Sequence, residues 1–243
     1  MVMLRQQVFI PVCCRFLMTY TVSPSSLNLF LDCPRCFWLS IVKKIKRQDS
    51  AFPSLPSGMD RVLKIHFDSF MEKRTLPPEL QSNGMNDYRL FDDKELLKAW
   101  RNNRKGLQYV DDSGVVLRGA VDNILVKNNK LVVLDFKTRG YPVKEDTHKH
   151  YELQMHLYTL LLRKNGFKTE DYAYLLFYYP NRVLETGEVI FDTHLKKIEV
   201  DVKKGEKIFK EAVALLLKEE PPEPNEECSY CHWAKVVCVN NNG

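Results

Sequence analysis

The chain has 243 residues, of which 44% are hydrophobic and 28% are charged, and it contains 10 Gly and 12 Pro. This balance is typical of a globular protein and excludes a disordered or collagen-like chain. The longest uncharged apolar runs, such as residues 175–179, are too short to span a membrane as a helix. The net charge of +5 permits a nucleic-acid partner but does not require one.

The seven cysteines indicate a reducing compartment. Their odd number argues against a closed disulfide framework, and the short apolar run near the N-terminus precedes no small-residue cleavage site. We therefore expect a cytoplasmic protein whose clustered cysteines bind metal. Residues 1–17 contain no acidic residue, so we interpret them as a leader before a start at Met18, with a frayed terminus as the alternative. Residues 18–243 are expected to form one domain with a cysteine-bearing tail at 221–243.

Helical patterns dominate the first hundred residues. Ser23 or Ser25 can cap a first helix that has Pro24 in its first turn. A Pro-, Ser- and Gly-rich stretch at 53–58 is expected to separate it from a second helix, and a loop at 75–86 precedes another helix at 92–104. The apolar faces predicted for the first two helices contain Leu27, Phe30, Leu31 and Trp38, and Met59, Leu63, His66, Phe67 and Phe70.

The pattern then changes to strands. Two apolar runs, 115–126 and 131–137, flank Asn128 and Asn129, which tolerate positive φ, and this predicts a hairpin. We expect further elements in the order helix (148–164), buried strand (172–179), one or two strands (187–202) and helix (203–218). Helices before, between and after a small mixed sheet indicate an α/β or α+β fold, of which we expect α/β.

The hairpin register places two acids opposite each other. If Asn128 and Asn129 form a two-residue turn, Asp122 faces Asp135 and Ala120 faces Lys137. Because side chains alternate along a strand, Lys137 projects on the same side as Asp135. The two acids and the amine thus lie at one end of an otherwise apolar face.

Two opposed carboxylates repel each other unless a cation lies between them. A divalent metal with oxygen ligands, such as Mg²⁺, resolves this repulsion, and a neighbouring lysine can position a metal-bound water or stabilise developing charge. The alternative interpretation is a salt-bridged triad at the edge of the sheet.

Four motifs in order resemble the PD-(D/E)XK nuclease superfamily, specifically its RecB-like branch. They are His66 in an upstream helix, Gly119 to Asp122 (GAVD), Asp135 to Lys137 (DFK), and Gln154 to Tyr158 (QMHLY). The opening stretch SPSSLNLFLDCPRCFWL fits as well, so the resemblance runs from about residue 23 to residue 231. It implies a restriction-endonuclease-like core, which is a mixed β-sheet flanked by helices. The sequence resembles CRISPR-associated RecB-like exonucleases and the nuclease domains of helicase–nuclease complexes.

The resemblance also implies a role for each matching residue. Asp122, Asp135, His66 and the backbone carbonyl of Phe136 would bind the catalytic Mg²⁺ or Mn²⁺, with the histidine favouring Mn²⁺. Lys137 would be the catalytic lysine. Gln154 and Tyr158, one helical turn apart, would contact the DNA strand near the scissile phosphate.

The cysteines form two CxxC pairs, Cys33 with Cys36 and Cys228 with Cys231. This spacing suits a four-cysteine site for Zn²⁺ or an iron–sulfur cluster that would join the first helix to the tail as a helical cap. Iron–sulfur members of the family have one cysteine in the opening helix and three in the tail, which implies a 4Fe–4S cluster with zinc as the alternative. Cys33, Cys228 and Cys231 match that pattern, and either Cys36 or Cys238 would be the fourth ligand.

The expected function is a metal-dependent deoxyribonuclease, an exonuclease with a preference for single-stranded ends. DNA repair, recombination and CRISPR-type processing are the expected pathways, with DNA as substrate, a helicase or CRISPR adaptation proteins as partners, and no membrane. The alternative is a non-catalytic DNA-binding or assembly subunit that keeps the nuclease fold. The presence of both acids and the lysine argues against it.

Overall fold

The computed structural model describes residues 20–48 and 54–240, without the side chains of residues 238–240. The predicted leader therefore lies outside the described residues. The strands are β1 (Thr21–Val22), β2 (Arg89–Leu90), β3 (Leu107–Val110), β4 (Val116–Gly119), β5 (Asn123–Lys127), β6 (Lys130–Thr138), β7 (Tyr172–Val183) and β8 (Val189–Glu199). The helices are α1 (Pro24–Asp32), α2 (Pro34–Val42), α3 (Ser54–Glu72), α4 (Pro78–Gln81), α5 (Lys94–Trp100), α6 (Glu152–Lys164), α7 (Val202–Leu216) and α8 (Ser229–Asn240). A short 3₁₀ helix, Thr147–Tyr151, leads into α6.

The strands form two sheets that are flanked by helices, so the predicted mixed α/β architecture is confirmed. The larger sheet has the order β2-β5-β6-β7-β8, in which only β6 and β7 run parallel, and the smaller has the order β1-β4-β3. Helix α6 connects the parallel pair and buries nine of its side chains. A parallel pair needs such a crossover connection, and the crossover places α6 against the sheets.

The predicted hairpin register is confirmed along most of its length. Asn128 and Asn129 have φ values of 48° and 62°, as a two-residue turn requires, and β5 pairs with β6 from Lys127 opposite Lys130 to Asn123 opposite Leu134. The ladder ends there, so the predicted pairings of Asp122 with Asp135 and of Ala120 with Lys137 are both wrong as strand pairs. The run 115–126 is not one strand, because β4 pairs with β3 in the smaller sheet and the chain changes sheet after Gly119.

The first predicted helix is divided in two at Cys33. This residue ends α1 and precedes α2 in an extended conformation, with φ −155° and ψ 108°. The cause is Pro34, whose ring disfavours a helical conformation in the residue before it. Of the two predicted capping residues, Ser23 and Ser25, it is Ser23 that caps α1, through a capping box.

Two other expectations need correction. The stretch expected to separate the first two helices lies in α3 from Ser54 onward, because a proline near the start of a helix loses no hydrogen bond. The expected loop at 75–86 contains α4, and the tail contains α8, whose exposed side chains give no apolar periodicity.

None of the helices in the described part of the chain is both long enough and apolar enough to cross a bilayer.

Candidate active site

The two acids lie where the β5–β6 ladder ends. Asp122 immediately precedes β5, and its Oδ2 accepts a hydrogen bond of 3.0 Å from the backbone N–H of Phe136. The side chain thus satisfies a backbone donor beyond the last strand pair. Arg101 holds the backbone of Asp122, because its Nε donates to the Asp122 carbonyl at 2.7 Å while Nη1 donates to Asp68 at 2.8 Å.

Asp135 is 1% exposed and forms an ion pair with Lys137, as expected for neighbours on the same face of β6. Burial raises the pKa of Asp135, the charge of Lys137 opposes this, and the nearby Asp122 carboxylate adds to it, so that the net pKa is about 7. Burial lowers the pKa of Lys137, but the charges of Asp135 and Asp122 outweigh burial and raise it. Lys137 is therefore positively charged, and it lies beside Asp135 and Asp122, whose negative charges repel each other.

Gln154 of α6 connects the predicted residues to one another. Its Oε1 accepts from Lys137 Nζ at 3.1 Å, and its Nε2 donates to Asp135 Oδ1 at 3.3 Å and to Tyr158 Oη at 2.8 Å. The Tyr158 ring packs directly on Gly119, where an added Cβ would lie 2.8 Å from Tyr158 Cε1. The four predicted residues thus form one connected network, and the contact of Gln154 and Tyr158 with DNA stays a prediction.

The sequence analysis did not identify Lys64 of α3, which also contacts the acids. Its Nζ lies 2.9 Å from Asp122 Oδ1 and 2.8 Å from Asp60 Oδ1. Burial lowers the pKa of Lys64, but the Asp122 and Asp60 charges raise it above its usual value. The only sequence signal is the i,i+4 spacing of Asp60 and Lys64, which is typical of surface ion pairs on helices.

His66 of α3 contacts Glu79 and not the two acids. Its Nε2 is 3.0 Å from Glu79 Oε1, and the same carboxylate oxygen accepts from Tyr178 Oη at 3.1 Å. The next residue, Phe67, packs against Phe136, on the face of β6 opposite to Asp135 and Lys137. Among the described residues, His66, Asp122 and Asp135 do not form a group with ligand atoms close enough to share a metal ion. The assignment of His66 and of the Phe136 carbonyl as metal ligands stays a prediction.

A divalent cation fits the chemistry of the two acids. Asp122 and Asp135 offer oxygen ligands, which Mg²⁺ and Mn²⁺ prefer, and the Asp122 carboxylate is close enough to destabilise the charged form of Asp135. Two ammonium groups, Lys64 and Lys137, neutralise them in this structure. The two carboxylates are therefore stabilised by positive charge, which a bound divalent cation would also supply.

The four cysteines of the two CxxC pairs form a second cluster. The Sγ–Sγ distances are 3.4 Å for Cys36 and Cys231, 3.7 Å for Cys36 and Cys228, and 3.9 Å for Cys33 and Cys231. All four sulfurs lie within 4.8 Å of one another, an arrangement that could bind a metal ion.

Of the two candidates for the fourth ligand, the structure brings Cys36 to the other three cysteines. The side chain of Cys238 lies outside the described residues. Burial raises the pKa of Cys33, but hydrogen bonds from the backbone amides of Cys36 and Asn225 outweigh burial and lower it to about 7.

Comparison with known proteins gives a family match. The family model of the PD-(D/E)XK nuclease superfamily matches residues 60–238, well over half of the chain. Among solved structures, the crystal structure of SSO0001 is similar, with 17% sequence identity, a TM-score of 0.41, and coverage of 89% of this chain and 84% of that chain. Comparison with curated proteins found no significant match.

Proposed function

The chain belongs to the PD-(D/E)XK nuclease superfamily, and on this premise we propose that it is a metal-dependent deoxyribonuclease that hydrolyses phosphodiester bonds. The observation that supports this most directly is the contact of Lys137 with both Asp135 and Gln154 beside Asp122. The second acid, Asp122, raises the free energy of the charged form of Asp135 even with Lys64 and Lys137 in contact with the pair, which is unfavourable for a purely structural salt bridge.

The proposed mechanism divides the work among these residues. Asp122 and Asp135 would hold Mg²⁺ or Mn²⁺, and His66 and the Phe136 carbonyl would complete the protein ligands once His66 exchanged its contact with Glu79 for the ion. The ion, when bound, supplies a water with a lowered pKa. Lys137 stabilises negative charge that develops on the scissile phosphate, and its Nζ is positioned for this by Gln154 at 3.1 Å. Gln154 and Tyr158 orient the DNA strand, and Arg101 keeps Asp122 in place through its carbonyl.

The finer assignment rests on the resemblance to the RecB-like branch. We propose an exonuclease that prefers single-stranded DNA ends and works in the cytoplasm. DNA repair, recombination or CRISPR-type processing would be its pathway, with a helicase or CRISPR adaptation proteins as partners. A non-catalytic DNA-binding subunit is the competing function, because the two lysine–carboxylate contacts could also hold the sheet together without chemistry.

Cleavage of end-labelled linear and covalently closed circular DNA tests these proposals. We expect degradation of linear DNA from its ends in Mn²⁺ or Mg²⁺, no cleavage in EDTA, and slow or absent cleavage of the circle. Asp122→Asn and Asp135→Asn should abolish cleavage and remain folded. The matched control is Asp171→Asn, because that carboxylate is 79% exposed and pairs with Arg163. Wild-type protein that binds DNA but cleaves neither substrate in any metal would establish the non-catalytic alternative.

A further inference from the structure

We propose that the four-cysteine cluster holds a single tetrahedral zinc ion and not a 4Fe–4S cluster, and that Arg47 offsets the negative charge of this site. The proposal does not depend on nuclease activity. It rests on the separations of the sulfurs, on the elements that carry them, and on the contacts of one arginine.

The sulfur separations match a mononuclear site. Four sulfurs bound tetrahedrally at about 2.3 Å from one zinc ion lie about 3.8 Å from one another. The separations in this structure are 3.4, 3.7 and 3.9 Å, and no pair among the four exceeds 4.8 Å. A single ion of zinc's size therefore fits with small adjustments of the side chains.

A four-iron cluster does not fit the same sulfurs. In such a cluster each cysteine binds a different iron, so the sulfurs lie outside a metal cube and about 6 Å apart. Reaching that spacing would require each sulfur to move outward. Cys33, Cys36 and Cys228 are buried and pack with Leu29 and the partly exposed Cys231 in a cluster of their own, so this movement would separate sulfurs that now lie in mutual contact.

The two CxxC pairs are built in the same way, as expected for two halves of one tetrahedral site. Each pair begins just before a helix, α2 or α8, and has its second cysteine in the first turn. In each, the first cysteine's carbonyl accepts a backbone hydrogen bond from the residue four positions on, at 3.1 Å from Phe37 and 3.0 Å from His232. Both helix N-termini place partial positive charge beside these sulfurs, which favours thiolates, whereas burial raises the pKa of Cys36 and of Cys231.

Arg47 places a positive charge beside the cysteine sulfurs. Its Nη2 donates to Cys228 Sγ at 3.3 Å, its Nη1 lies 2.5 Å from Asp32 Oδ2, and its guanidinium lies 4.6 Å from the Tyr230 ring centre. Four thiolates around Zn²⁺ carry a net charge of about −2, which an adjacent guanidinium offsets in part. The three contacts hold Arg47 in a fixed position against the sulfurs.

The ion would also determine where α8 lies. Within the described side chains of this helix none is buried, and its contacts with the N-terminal segment come from Cys231, from the preceding Cys228 and from Tyr230, which packs on Arg47. The main hydrophobic core contains no residue of α8. Loss of zinc should therefore release α8 while the sheets and the remaining helices stay folded.

Metal analysis of anaerobically prepared protein, expressed with both iron and zinc supplied, tests the proposal. We expect one zinc per chain, no acid-labile sulfide and no colour. Apoprotein treated with iron and sulfide should lose the iron on desalting, whereas Co²⁺ should give the spectrum of tetrahedral thiolate coordination. Stable brown protein with broad absorption near ~400 nm would overturn the proposal.

Variants identify the ligands and the role of Arg47. Cys36→Ser should lose zinc and Cys238→Ser should retain it, and the reverse result would overturn the ligand set. Because Cys36→Ser could misfold, the Co²⁺ spectrum of Cys238→Ser is the second measurement, and it should still show four thiolates. Arg47→Gln should keep zinc but lose it to a chelator about 10-fold more readily. The exposed neighbour Lys46 provides the control, Lys46→Gln, and equal zinc loss in both variants would exclude a specific role for Arg47.

Limited proteolysis after zinc chelation tests the position of α8. We expect cleavage near residues 226–240 and an intact remainder of the chain. Unchanged resistance of this segment after zinc removal would show that other contacts hold α8.

Discussion

The Nζ atom of Lys64 lies 2.9 Å from Oδ1 of Asp122, so an amine from α3 contacts one acid of the proposed metal site while Lys137 contacts the other. The two lysines come from different elements and approach the acid pair separately. A divalent cation must therefore compete with positive charge that is already present.

Replacement of Lys64 by methionine should strengthen metal binding and weaken the metal-free fold. Removing the ammonium leaves Asp122 less neutralised, so Mn²⁺ should bind several-fold more tightly, while stability in EDTA should fall by on the order of 1 kcal/mol. Calorimetric Mn²⁺ titration and thermal unfolding with and without EDTA measure the two effects. Lys94→Met is the control, since Lys94 and its partner Glu72 are both more than half exposed. Unchanged Mn²⁺ affinity would mean that the metal does not use Asp122.

Lys137→Ala should separate chemistry from binding. The charge of Lys137 acts mainly in the transition state. The single-turnover cleavage rate should therefore fall by roughly 10²-fold or more, while DNA affinity measured in Ca²⁺ changes little. Asp122 and Asp135 remain, so the divalent metal should still bind. Lys130→Ala removes a more exposed lysine from the same strand and should cleave normally. A Lys137→Ala protein that melts much earlier but cleaves at the normal rate per folded molecule would show that this lysine is structural.

Paired variants of His66 and Glu79 test whether the histidine binds the catalytic metal. If His66 is a ligand, His66→Ala should weaken Mn²⁺ binding by about 10-fold or more, and Glu79→Gln should have a smaller effect through the orientation of the ring. If His66 only pairs with Glu79, both variants should lower stability by similar amounts and leave Mn²⁺ binding unchanged. The same Mn²⁺ titration and a thermal melt separate the two cases.

Stability should fall on acidification because of His156. Burial and the nearby Lys204 lower its pKa, although Glu152 and Asp201 oppose this, and its Nδ1 accepts from the Asp201 N–H at 3.3 Å. His156 binds a proton less readily in the native state than in the unfolded state. Its contribution to the free energy of unfolding is therefore complete above about pH 6.5 and decreases as the pH falls below that value.

Chemical unfolding at pH 7.5 and 5.5 measures the effect. Wild-type protein should lose on the order of 1 kcal/mol more than His156→Asn, whose amide oxygen can accept the same bond without titrating. His150→Gln, at an exposed position, is the control and should behave as wild type. An equal loss of stability in His156→Asn would assign the pH dependence to other groups.

The sequence alone determined the local features of this site. The Asn128–Asn129 turn and strict side-chain alternation are sufficient to place Asp135 and Lys137 on one face and Asp122 beside them. Helical spacing is sufficient to place Gln154 and Tyr158 on one face of α6. These relationships depend on short stretches of backbone whose geometry is set by residue type.

Only the tertiary structure decided which distant groups meet. The contacts of Lys64 and Arg101 with Asp122 and the pairing of His66 with Glu79 join residues from separate elements. No local pattern encodes them, because they depend on how α3 and the segment after α5 pack against the rest of the chain. The end of the β5–β6 ladder at Asn123 was likewise decided by packing, since the chain leaves for the smaller sheet there and the Asp122 carboxylate takes the Phe136 amide instead.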